Sequence, residues 1–202
     1  MNIETIHIAD PAYPATLRRY LGDRAPKRIF SLGSLDILQQ LPLGLFCSVK
    51  CPGGLILKTY DLARELRDKG AAVISGFHSP MEKECLSLLL RGNQPVIWCL
   101  AKRLKTRGVP KECTGPLAEG RLLLFSPFGE TVKRATEETA FFRNEFVAAL
   151  ADRVFVAHAA RGGKTEAFCR KVLDWRKPLL TFDAPDNAAL IAMGAQTYSG
   201  FL

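Results

Sequence analysis

The chain has 202 residues, with 28 Lys+Arg against 20 Asp+Glu for a formal net charge of +8, and 48% hydrophobic residues. That composition excludes an intrinsically disordered chain and supplies apolar surface for one sizeable core. No apolar run approaches the roughly 18 residues that a membrane helix needs, and the start at Met1–Thr5 lacks the basic-then-apolar pattern of a secretory signal, so a cytoplasmic protein with no membrane partner is expected.

Residues 1–42 read as a proline-punctuated extension packed on a core that spans 43–202, with a short helix over Pro14–Leu21. From residue 43 the sequence alternates regularly. LGLFCSV (43–49) is a continuous apolar run of strand length. LILKTYDLARELRDK (55–69) is an amphipathic helix with Leu55, Leu62, Ala63 and Leu66 on one face, closed by Gly70. AAVIS (71–75) is a strand, Pro80 to about Arg91 a helix, and QPVIWCL (94–100) a third strand. The loop 101–111 carries five basic residues and no acid. RLLLFSP (121–127) and DRVFVAH (152–158) are strands, separated by a helix that presents Phe142, Phe146, Ala149 and Leu150 on one face. Thr165–Trp175 is helical, KPLLTFD (177–183) is a sixth strand, and Asn187–Met193 closes as a short helix. Strands apolar throughout and alternating with helices predict an α/β fold, a three-layer α/β/α Rossmann-like domain with a mainly parallel sheet.

The six cysteines, at 47, 51, 85, 99, 113 and 169, form no CxxC and no Cys/His couple of zinc-site spacing. Several lie inside apolar runs, as small buried hydrophobes of a reduced protein. Three scattered histidines lack metal-ligand spacing. No metal, cofactor or catalytic residue is predicted, and no GxSxG elbow is present.

In an open α/β sheet, ligands bind beyond the carboxyl ends of the strands. That rule selects Ser48 and Lys50 after the first core strand, Ser75, Gly76 and His78 after the second, and Lys102 and Arg103 after the third. The fifth opens into Arg161, Gly162, Gly163, Lys164 and Thr165 just before a helix. Two glycines there let backbone N–H groups approach an anion at the positive end of a helix dipole, although the stretch is not a Walker A motif because His158 stands where its first glycine belongs. The plain alternative is a glycine-containing turn with solvated cations. Glu166 reads as an ordinary first-turn acid rather than a general base.

The order of these segments resembles the Rossmann-like core of the DNA-processing protein A (DprA, or Smf) family. YPATLRRYLGDRAPKRIFSLGSLDIL resembles its lead-in, LFCSVK stands where it has a strand ending in Gly-Ser-Arg, and VISGFHSPMEKECLSLLL resembles its SGxARGID segment. FFRNEFVAALADRVFVAHAARGGKT resembles its FPxRNRIIAGL segment and adds Arg143 and Asn144 to the candidate set. The departures are Ser48-Val49-Lys50 for the Gly-Ser-Arg turn, and Ser79, Pro80 and Glu82 at the Arg, Gly and Asp positions of SGxARGID. The resemblance implies non-enzymatic binding of single-stranded DNA in DNA uptake or recombination, a homodimer, and a recombinase as partner. The alternative is a nucleotide-binding protein or a phosphoribohydrolase-like enzyme of the same superfamily. Lys50, Arg143 and Lys164 are expected to form one anion pocket with the N–H groups of Gly162 and Gly163.

Overall fold

A computed structural model describes residues 2–200. The core strands are β3 (Leu43–Phe46), β4 (Val73–Ser75), β5 (Val96–Cys99), β6 (Leu122–Ser126), β7 (Arg153–Val156) and β8 (Leu179–Phe182). All six lie parallel, in spatial order β6-β5-β4-β3-β7-β8, so their carboxyl ends share one edge. The order reverses at β3, which pairs with β4 on one side and β7 on the other.

Three further strands were not among those read from the sequence. β1 (Glu4–His7) pairs antiparallel with β2 (Arg28–Leu32), and β2 pairs antiparallel with β6. The lead-in therefore extends the sheet itself instead of only packing on it. β9 (Gln196–Tyr198) adds a parallel strand beside β8 and completes nine.

Alternation along the strands sorts the core into two faces. Ile74, Ile97, Cys99, Leu123, Phe125, Val154 and Val156 pack with α1 (Ala15–Leu21), α5 (Glu137–Leu150), α6 (Lys164–Asp174) and α7 (Ala188–Met193). Val73, Val96, Leu122, Leu124 and Phe155 pack with α2 (Gly53–Asp68), α3 (Pro80–Leu89) and α4 (Lys111–Ala118). The face read for α2 is the buried one, since Leu55, Leu62, Ala63 and Leu66 are all enclosed. Gly70 follows with a φ of 72°, the left-handed geometry that a helix end asks of glycine. Among the described residues no helix is long and apolar enough to cross a membrane.

Candidate functional site

The loops leaving the carboxyl edge are tied together by backbone bonds. After β3 and β7, Ser48 N–H donates to the His158 carbonyl at 3.0 Å, and Ala160 N–H donates to Ser48 Oγ at 3.2 Å. Ser48 is thus a buried staple between two loops at the point where the strand order reverses.

Glu82 is a second staple. It is buried in the first turn of α3 and accepts from the N–H groups of Cys47 (2.9 Å), His78 (2.8 Å) and Ser79 (3.2 Å). Ser79 Oγ in turn accepts from Glu82 N–H, completing a capping box. A carboxylate at this position fastens the β3 and β4 loops to the helix start and has little left to offer a ligand. Ser75 is likewise internal, with Oγ donating to the Leu45 carbonyl at 2.6 Å and accepting from Phe77 N–H. Phe77, fully buried, carries a φ of 43°, a left-handed geometry unusual for a bulky side chain.

Arg143 enters from α5 and is buried. Nη1 donates to the carbonyls of Gly76 (3.0 Å) and Cys99 (3.1 Å), and Nε donates to Asn144 Oδ1 (2.9 Å). Burial pushes its pKa down, and the nearby Glu82 carboxylate pulls it back up. Gly76 must lack a side chain because a Cβ there would overlap the guanidinium. Arg143 pairs with neither Glu138 nor Glu145; the buried Glu145 is held instead by Arg24 and Lys171.

The expected cradle at 161–165 is closed by its own atoms. Gly162 N–H donates to Glu166 Oε2 at 2.9 Å, and Gly163 N–H donates to the Ala160 carbonyl at 2.9 Å. The φ of 69° at Gly162 makes this turn, and Gly163 is the N-cap of α6. Lys164 Nζ pairs with Glu137 at 2.7 Å, an exposed contact that holds the Glu137 carboxyl below its usual range. Lys50 and Arg161 are exposed. The three-cation pocket of the sequence reading does not assemble, because Arg143 is committed to backbone carbonyls, the two N–H groups to internal acceptors, and Lys50 stands outside the cleft that Lys164 lines.

What the edge offers is a cleft of about 590 Å³ lined by Val49, His78, Arg143, Asn144, Lys164 and Thr165 among others. It shares Glu137, Phe141 and Lys164 with a neighbouring hollow of about 580 Å³, which adds Arg24, Phe128 and Phe142. Phe128 meets Phe142 edge-on at 5.9 Å, and the Arg24 guanidinium lies 5.4 Å from the Phe142 ring. Lys102 and Arg103 are not part of this cleft; they line a separate slot of about 230 Å³ beside Trp98. Ser48, Lys50, Ser75, Gly76, Arg161, Gly162 and Gly163 line none of these three cavities. Phe128 and Phe141 escaped the sequence reading; Phe142, read on the core face of its helix, does pack against the core and also lines the hollow. Phe128 lies just past the end of β6, so the strand-end rule alone points to it.

A doubly wound sheet with loops stapled at its reversal point defines a Rossmann-like binding fold. The chain belongs to the DNA recombination-mediator protein A family, whose pattern it matches over residues 4–196. Its fold is similar to that of DNA processing protein A from Streptococcus pneumoniae, with a TM-score of 0.81 at 17% identity over 99% of this chain and 72% of that one. It is also similar to DNA processing protein A from Helicobacter pylori, a structure described for its single-stranded DNA binding mode, with a TM-score of 0.77 at 19% identity over 99% and 92% of the two chains. A molybdenum cofactor binding protein from Rippkaea orientalis is more distant, with a TM-score of 0.55 at 13% identity over 79% and 90%. No curated protein sequence matches the chain.

Proposed function

We propose that this protein binds single-stranded DNA along the carboxyl edge of its sheet and performs no chemistry on it. The observation that carries this reading is the joined pair of hollows, whose lining brings Phe128, Phe141 and Phe142 together with Arg24 and Lys164 beside Glu137 and Glu138, the Lys164–Glu137 pair being exposed and open to exchange for a phosphate. Aromatic faces stack unpaired bases while cations follow the phosphates, the combination by which proteins hold single strands without reading sequence. The solvent-facing members of the expected set, His78, Asn144, Lys164 and Thr165, contact the strand from the cleft, and Lys50 and Arg161 extend the positive surface at exposed loop positions. Ser48, Ser75 and Gly76 brace the loops from behind the cleft wall, Arg143 lines it with its guanidinium spent on backbone carbonyls, and none of the four makes a phosphate contact. Family membership supports a cytoplasmic role in DNA processing, with a recombinase as protein partner and a homodimer as the working unit.

The test is fluorescence anisotropy with a labelled oligo-dT. Phe141→Ala removes a stacking face and weakens binding by roughly fivefold or more, from about 1–3 kcal/mol per stacked base. Lys164→Ala weakens binding as well and leaves the melting temperature in place, because its ion pair is exposed. Parent-like binding by both variants would contradict the proposal.

A further inference from the structure

The slot beside Trp98 lies apart from the DNA cleft. Trp98 belongs to the sheet face covered by α2, α3 and α4, whereas Arg143 reaches the cleft from α5 on the opposite face. Both end on the same atom: Trp98 Nε1 donates to the Gly76 carbonyl at 3.1 Å, and Arg143 Nη1 donates to it at 3.0 Å. That bond fixes the orientation of the indole. Trp98, Leu100, Leu124, Val109 and Pro110 form an apolar and aromatic lining. Lys102, Arg103, Lys105, Arg107 and Lys133 complete it, and no acid lines the slot. Only Arg103 pairs with a carboxylate among the described residues, that of Glu130.

Solvated loop cations are ordinarily scattered and mobile. Here the base of the loop is pinned: Leu100 N–H donates to the Phe125 carbonyl, Arg103 N–H to the Val132 carbonyl, and Ser126 Oγ to the Lys102 carbonyl, all within 2.9 Å, while Lys105 and Arg107 extend from that base as exposed residues. Four cations without acidic partners line one apolar slot, which concentrates positive potential there. Arg103 Nε is shut off from solvent and meets no acceptor among the described residues, and buried donors call for a partner. A bare phosphate would satisfy the cations and make no use of the indole. An apolar ring alone would make no use of the cations. At about 230 Å³ the slot is smaller than a drug-sized pocket and matches one ring system with its sugar.

From this we infer that the Trp98 slot binds a single nucleoside 5′-phosphate, with the base against the indole and the phosphate against Lys102, Lys105, Arg107 and Lys133. The inference goes beyond the DNA reading, because the slot is separate from the cleft and does not need it to be occupied. The nucleotide can be free or the 5′-phosphorylated end of a strand.

The sequence holds two tryptophans, and Trp175 packs on Tyr20 away from the slot. Trp175→Phe therefore leaves Trp98 as the one indole reporter. The probes are dAMP, inorganic phosphate, and oligo-dT with and without a 5′-phosphate, each titrated at low salt. The expected result is saturable quenching by dAMP, none by phosphate, and at least tenfold weaker dAMP binding after Lys105→Ala with Arg107→Ala. Both residues are exposed, so circular dichroism and melting should match the parent. If the strand end is the source, the 5′-phosphorylated oligo-dT competes with dAMP and the unphosphorylated one does not; if neither competes, the slot takes free nucleotide. Absence of saturable quenching by every nucleotide probe, or equal quenching in the double variant, overturns the inference. The readout is Trp98 with a mononucleotide, so failure of the cleft to bind DNA would leave this result standing.

Discussion

Arg143 acts in this protein through the backbone. Its guanidinium bridges the carbonyls that end β4 and β5, and so sets the spacing of the two strand ends from which the cleft and the slot both begin. Arg143→Ala strips the Cys99 carbonyl of that donor inside the protein, at about 1–3 kcal/mol of stability, read as a lower urea midpoint. Arg143→Lys recovers little, because a point-like ammonium cannot reproduce the planar fork. The pair Arg143-Asn144 was visible in the sequence as a motif, but its role was not. A motif states residue types; whether an arginine faces phosphate or carbonyl depends on burial, which only the packing of α5 on the sheet decides. The same holds for Gly162 and Gly163, whose N–H groups looked available until Glu166 and Ala160 took them.

The elements follow the physical strength of their signals. All six core strands were legible because a parallel strand buried on both faces is an unbroken apolar run. β1 was not, since only Ile6 among its four residues is buried and the rest are polar or exposed. β2 reads RIFSL, too short and mixed to stand out, and α4 was hidden behind the basic loop and contains Pro116. The start of α5 was also left open, although its capping box is written in the sequence as Thr136 and Thr139. Thr136 Oγ1 accepts from Thr139 N–H, and Thr139 Oγ1 accepts from Thr136 N–H at 2.8 Å. Thr136→Ala should therefore lower stability by about 1 kcal/mol and loosen the helix turn that carries Glu137 and Phe141, measurable as faster amide exchange there. Glu145 anchors the middle of the same helix to Arg24 and Lys171, so that α5 positions Phe141 and Phe142 as one rigid support.

At the scale of the whole molecule, six thiols and one lysine act first as the pH rises above neutral, joined at higher pH by Tyr13, Tyr60 and Tyr198, which burial also raises. Burial pushes Cys85 and Cys169 up to about 12 and Cys113 to about 11, and raises Cys47 and Cys99 further. A raised thiol stays neutral in the fold while the unfolded chain ionises near 9.0, so its contribution is whole below pH 9 and lost as the pH climbs toward the folded value. Lys177, pushed down to about 8 by burial, works in the opposite sense: the unfolded chain keeps that proton up to 10.5, which adds stability between the two. Five buried thiols outweigh one ammonium, and a urea series should show stability falling above pH 9. In the native state a thiol reagent should label Cys51 first, the one cysteine that is only half-buried.

The net charge of +8 belongs to this scale too, since it favours any polyanion over any neutral ligand. Its placement decides more than its size: the densest run, 101–111, borders the Trp98 slot, while the cleft relies on phenylalanines with Lys164 and Arg24. The central claim, a single strand held along the sheet edge, is tested most directly by titrating oligo-dT of increasing length at 50 mM and 200 mM salt. The account predicts affinity that rises with length over several nucleotides and falls at least about sevenfold between the two salts, as expected when two or more phosphates of a single strand are contacted. Affinity that is independent of both length and salt, or oligo-dT that binds no better than dTMP, would contradict it.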